Sequence, residues 1–106
     1  MNKLTKKEIQ RIEKETSFSV SEYDDYYSFG WYSNAGEDFS FEIQKGKREE
    51  IIQEIKDYAF EFNPEEHASL WYGANRGEPS SLRVLLNDAD EIAEKLDELA
   101  KVVSSF

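Results

Sequence analysis

The chain has 106 residues, 39% hydrophobic and 14% aromatic, which fits one domain with one core and argues against wholesale disorder. Asp and Glu number 23 against 13 Lys and Arg, a formal net charge of -10 that repels nucleic-acid backbone and favours basic partners. With no cysteine, disulfides, thiolate metal sites and thiol nucleophiles are excluded.

The segment from Met1 to Gln10 is basic but has no apolar stretch of the secretory kind, and no run is long enough to span a membrane. A cytoplasmic location is therefore expected. From Thr5, TKKEIQRIEKE reads as a short helix. Thr5 is placed to cap it, Glu8 stands in capping-box register, and Ile9 and Ile12 share a thin apolar face that suggests light docking.

The period then changes to two. Phe18 and Val20 alternate with serines, Tyr27, Phe29 and Trp31 recur at every second residue, and Phe39, Phe41 and Ile43 do the same. Aromatic alternation is a strand signal, and Asn34 to Gly36 supplies turn chemistry. The expectation is an antiparallel aromatic β-hairpin, or a three-stranded sheet if Phe18 to Tyr23 joins, packed against three to four helices. The fold class is α+β, with residues 1–106 as one small acidic domain.

A helix is expected from about Lys47 to Phe62, with Ile51, Ile55, Tyr58 and Phe62 buried and Ile52 and Ala59 beside them. Asn63 before Pro64 fits a capped helix start, with Glu66 at the capping-box position. Gly73 is read as the stop of that helix and YGANRGEPS, Tyr72 to Ser80, as a loop. The last helix starts at Ser80 or Ser81. Leu82, Leu85, Leu86, Ala89, Ala93, Leu96, Ala100 and Val103 follow helical spacing, and Ile92 and Leu99 widen the stripe. It either runs on to about Val103 or breaks near Asn87-Asp88 and restarts with Asp88 as its cap.

His67, the only histidine, lacks sequence neighbours able to converge with it, since Glu65 and Glu66 occupy adjacent helix positions. It reads as a surface or structural residue. Metalloprotease, phosphate-loop, serine-elbow and calcium-loop spacings are absent from the sequence, so no catalytic, metal or cofactor residues are assigned. The sharper feature is two rows of carboxylates. Glu50, Glu54, Asp57 and Glu61 follow 4-3-4 spacing on one helix, and Asp90, Glu91, Glu94, Asp97 and Glu98 gather on the last. Such rows either solubilise a helix or bind a basic protein by imitating a phosphate backbone. A second candidate site is a loop cluster of Tyr26, Trp71, Asn75 and Arg76.

The runs GWYSNAGEDFSF (Gly30 to Phe41) and NPEEHASLWYGANRGEPSSLRVLLNDADEI (Asn63 to Ile92) resemble small uncharacterised acidic proteins of phages and conjugative elements of Firmicutes and Bacteroidetes. The resemblance covers most of the chain. It implies a class that includes antirestriction and anti-CRISPR inhibitors, some of them DNA mimics. The leading expectation is a non-enzymatic domain that presents acidic helical faces to a basic protein, a DNA-binding one above all, without binding nucleic acid or membrane itself. Self-association through the aromatic hairpin is compatible with the same pattern. The alternative is a small enzyme or ligand-binding domain using the Tyr23 to Tyr27 segment, His67 and Arg76, which requires those residues to share one pocket.

Overall fold

The period-two segments form three antiparallel strands, β1 (Ser19–Glu22), β2 (Tyr26–Tyr32) and β3 (Asp38–Gln44), in the order β1-β2-β3. The computed structural model describes residues 3–74 and 81–106. Register places Tyr27 opposite Ile43, Phe29 opposite Phe41 and Trp31 opposite Phe39, with Val20 beside Phe29 on the other side. Because strand side chains alternate, these residues share one face and the intervening Ser28, Gly30, Ser40 and Glu42 share the other. The apolar face carries the core and the serine-rich face looks out.

The β2–β3 connection is tight. Gly36 N–H donates to the Ser33 carbonyl at 3.0 Å and Ser33 N–H to the Glu37 carbonyl at 2.8 Å. Gly36 has φ +92, a left-handed conformation that glycine takes without steric cost.

Among the described residues there are four helices, α1 (Lys6–Glu15), α2 (Arg48–Glu61), α3 (Pro64–Ala74) and α4 (Leu82–Ser104), and they pack on the apolar side of the sheet. Ile92, Leu96, Leu99 and Val103 of α4 are fully buried in one core with Tyr27 and Phe29 of the sheet. Helix α1 packs on α4 and β1, while α2 packs on α4 and β3. The helical layer therefore runs α1, α4, α2 beneath β1, β2, β3. Helix α3 returns along α4, where Ala68, Leu85 and Ala89 form a second, smaller cluster.

The capping box of α1 is complete, with Glu8 N–H donating to Thr5 Oγ1 at 3.1 Å and Thr5 N–H to Glu8 Oε1 at 2.8 Å. The thin stripe is nonetheless firmly docked, because Ile12 is fully buried and Arg48 of α2 reaches Glu8, its Nε 3.0 Å from Oε2. The Arg48 guanidinium holds the Glu8 carboxyl below its ordinary pKa, outweighing burial, and the Thr5 hydrogen bonds act in the same direction. Folding thus weakens proton binding at Glu8. The stabilisation is full above pH about 4.3 and is lost as pH falls through the depressed folded value. Glu8→Gln is expected to cost about 1–2 kcal/mol at neutral pH and to flatten the acid limb of the stability–pH curve, read by urea unfolding at several pH values.

One open alternative is decided and two expectations change in detail. Helix α4 is continuous through Asn87-Asp88, with Ser81 as its cap, and Asp88 is buried rather than capping a restart. Leu82, the first residue of the helix, is 38% exposed and lies off the buried stripe. Helix α3 passes through Tyr72 and Gly73 to Ala74, so the loop reading fails for those three residues, and the rest of that segment up to Ser80 lies outside the described residues. A glycine in the final turn costs about 1 kcal/mol against alanine, which packing of the rest of the helix offsets.

Candidate functional site

Helical phase decides where the carboxylates point. On α4, Asp90, Glu94, Asp97 and Glu98 lie opposite the buried stripe and are exposed. Glu91 is half-buried and accepts a hydrogen bond from the Asn34 side-chain amide of the β2–β3 turn. On α2, Glu50, Glu54, Asp57 and Glu61 are all exposed.

The two rows do not fuse into one patch. Lys56, Ala59 and Phe60 turn toward α4, so the phase of α2 sends Glu50, Glu54 and Glu61 to its other flank. Glu50 borders a hollow with Lys45 and Lys47, and Glu61 borders a separate notch with Glu66 and His67. Asp57 alone meets the α4 row. It and Asp97 line a groove of about 380 Å³ between the helices, together with Gln53, Lys56 and Ala59. Phe60 lies in that groove and is 90% exposed. A phenylalanine so bare on an otherwise well-packed domain has no role in the core, and the sequence pattern gave no sign of it.

His67 gains a partner that the sequence concealed. Its Nε2 lies 2.7 and 2.8 Å from the two carboxylate oxygens of Glu37, thirty residues earlier, and Glu37 is only 6% exposed. The imidazole also rests edge-on against Phe39 and near Phe62, with ring centroids 5.6 and 5.2 Å apart. This arrangement ties α3 to the β2–β3 turn. Burial, and after it the Glu37 charge, raises the pKa of the nearby Tyr58 hydroxyl. The notch beside His67 is about 190 Å³ and is lined by Tyr58, Glu61, Phe62, Asn63, Glu66 and Leu70. Tyr58 brings the one hydroxyl among these lining residues, and its raised pKa disfavours the phenolate.

Asp88 of α4 does comparable work at the same β2–β3 turn. Its Oδ1 accepts from the Ala35 backbone N–H at 3.0 Å, so a buried carboxylate on α4 holds the tip of the hairpin. Asp88→Ala leaves that donor without its partner and is expected to cost about 1–3 kcal/mol, read as a lowered urea midpoint and faster amide exchange at Ala35.

The Tyr23 to Tyr27 segment sits at the other end of the sheet. Tyr23 and Tyr26 stack at 4.7 Å, while Tyr27 is fully buried with its hydroxyl accepting from Leu4 N–H at 3.1 Å. Asp24 and Asp25 are exposed in the turn. Since Tyr26 and Tyr32 are the two ends of β2, about 20 Å separates this segment from the turn that holds His67. The tyrosine segment and His67 therefore share no pocket. Trp71 packs on the cluster of Ala68, Leu85 and Ala89 at the His67 end, so Tyr26 and Trp71 do not form one loop site either. Asn75 and Arg76 lie outside the described residues.

Among the described residues, no group of three or more histidines and carboxylates is arranged to hold a metal ion, and no helix is long and apolar enough to cross a membrane. No family model, curated protein or solved structure matches the chain.

Proposed function

We propose that the chain is a non-enzymatic binding domain that uses the α4 row and the α2–α4 groove to engage a basic protein. A DNA-binding protein of a host or mobile element is the partner class whose chemistry fits best. Carboxylates at Asp57, Asp90, Glu94 and Asp97 would occupy the Lys and Arg side chains that otherwise contact phosphates, which occludes the nucleic-acid site.

The observation that carries this reading is Phe60, 90% exposed in a groove flanked by Asp57 and Asp97. Solubilising faces have no use for a bare phenylalanine, whereas protein interfaces place aromatic anchors inside a charged rim. The test is capture of proteins from a lysate by the immobilised chain and by Phe60→Ser, eluting with rising salt. A basic protein held by the wild type, released by salt and lost from Phe60→Ser supports the assignment. Identical capture by both proteins refutes it.

A further inference from the structure

We infer that the free edge of β3 is a second docking site, and that it takes an extended basic segment of a partner protein as a fourth strand of the sheet. This uses the flank of α2 opposite the groove and shares with the proposed function only the basic character of the partner.

The phase of the ladder fixes what the edge offers. Ser33 N–H bonds the Glu37 carbonyl at 2.8 Å and Lys45 N–H bonds the Asp25 carbonyl at 2.8 Å, so these are hydrogen-bonded pairs of the β2–β3 ladder. Alternation then gives Phe39, Phe41 and Ile43 to β2 and turns the N–H and C=O groups of Asp38, Ser40, Glu42 and Gln44 outward. Among the described residues, no hydrogen bond closes this edge. Edge strands are usually blunted by proline, lysine, a bulge or short length. The seven residues of β3, DFSFEIQ, contain no proline and no lysine, and their pairing to β2 is unbroken.

What guards the edge is negative charge. Asp38 and Glu42 stand on the outer face of the strand. Beneath it, α2 packs on β3 through Tyr58, whose ring stacks on Phe41 at 4.1 Å. With α4 on one side of α2, the opposite flank, which carries Glu54 and Glu61, lies below the open edge. Asp38 and Glu42 select a strand with Lys or Arg at the alternate positions that share their face and β-branched residues between them, and Glu54 and Glu61 add a field from below that favours a basic chain.

A second copy fits poorly. The longest self-pairing that keeps Asp38 and Glu42 apart centres on Phe41, setting Asp38 against Gln44 and Glu42 against Ser40. That register brings the α2 carboxylates of two molecules together, each molecule carrying a net charge of -10.

The test uses a labelled peptide of alternating valine and lysine matched in length to β3, and a twin N-methylated at the alternate amides that would face β3. The two have equal charge, so only strand pairing separates them. At low salt the unmodified peptide is expected to bind the full chain at least about tenfold more tightly than its twin. It is also expected to slow amide exchange at Ser40 and Glu42. Phe60→Ser should bind it as the wild type does, which separates this site from the groove whether or not the groove proves functional. Absence of binding, equal affinity for the twin, or unchanged exchange at Ser40 and Glu42 overturns the inference. So does loss of binding in Phe60→Ser, which moves the peptide to the groove. Protection of the same amides by concentration-dependent dimerisation without peptide also overturns it, in favour of a second copy.

Discussion

Phe41→Ala is expected to lower stability by about 3–5 kcal/mol, at the upper end for loss of a buried aromatic side chain. Phe41 is a junction rather than one core residue among many. Its ring stacks on Phe29 across the sheet at 5.1 Å and on Tyr58 of α2 at 4.1 Å, and it meets Phe18 edge-on at 5.9 Å. Truncation removes contacts to β2, to α2 and to the segment entering β1 at once, and none of these can collapse into the gap without dragging its own element. A domain of this size has roughly 5–15 kcal/mol in total, so the loss is a large part of it. At about 4–8 °C per kcal/mol, the melting temperature should fall by at least about 12 °C. Phe60→Ala supplies the contrast, since that ring is 90% exposed and its removal should change stability by less than about 0.5 kcal/mol. A urea midpoint for Phe41→Ala close to that of Phe60→Ala would show that the aromatic stack does not hold the sheet to α2.

Phe41 was also legible in advance, and the reason marks out what sequence can reveal. Burial of Phe39, Phe41 and Ile43 follows from period two, and the start of α1 follows from Thr5 and Glu8 three residues apart. Both are local facts of backbone geometry. What stayed hidden depends on pairs distant along the chain. Nothing local marks Glu37 as a partner of His67, because only the meeting of the hairpin turn with α3 sets the two together. Asp88 stood open between a mid-helix residue and the cap of a restarted helix, and nothing local showed that the same turn presents the Ala35 N–H to it. The carboxylate rows show the same division. Spacing placed Glu50, Glu54, Asp57 and Glu61 on one side of α2. Only the layer order α1, α4, α2 determines that Asp57 meets the α4 row while Glu54 and Glu61 fall beside β3. Phe60 had no signal at all, because an exposed phenylalanine breaks the helical apolar pattern instead of joining it.

The α4 row yields the prediction that separates binding from solubility. The combined reversal Asp90→Lys, Glu94→Lys and Asp97→Lys is expected to weaken partner binding by more than about tenfold at low salt. The remaining affinity should also respond less to ionic strength, since exposed charges act over a Debye length of about 8 Å at 0.15 M. Stability should move in a different direction. Glu94 has Asp90 and Glu98 at i±4 and Glu91 and Asp97 at i±3, and each like-charged pair opposes the helix by about 0.2–0.5 kcal/mol. Glu94→Gln alone should therefore raise the urea midpoint slightly. The triple reversal should leave it within about 0.5 kcal/mol of wild type, because new attractions to Glu91 and Glu98 offset repulsion between the introduced lysine at 97 and Lys101. A helix that carries charges against its own stability, and loses its partner when they are reversed, holds them for the partner. If binding survives the triple reversal with its salt dependence intact, the α4 row is a solvated face, and the search for the contact passes to the flank of α2 that borders β3.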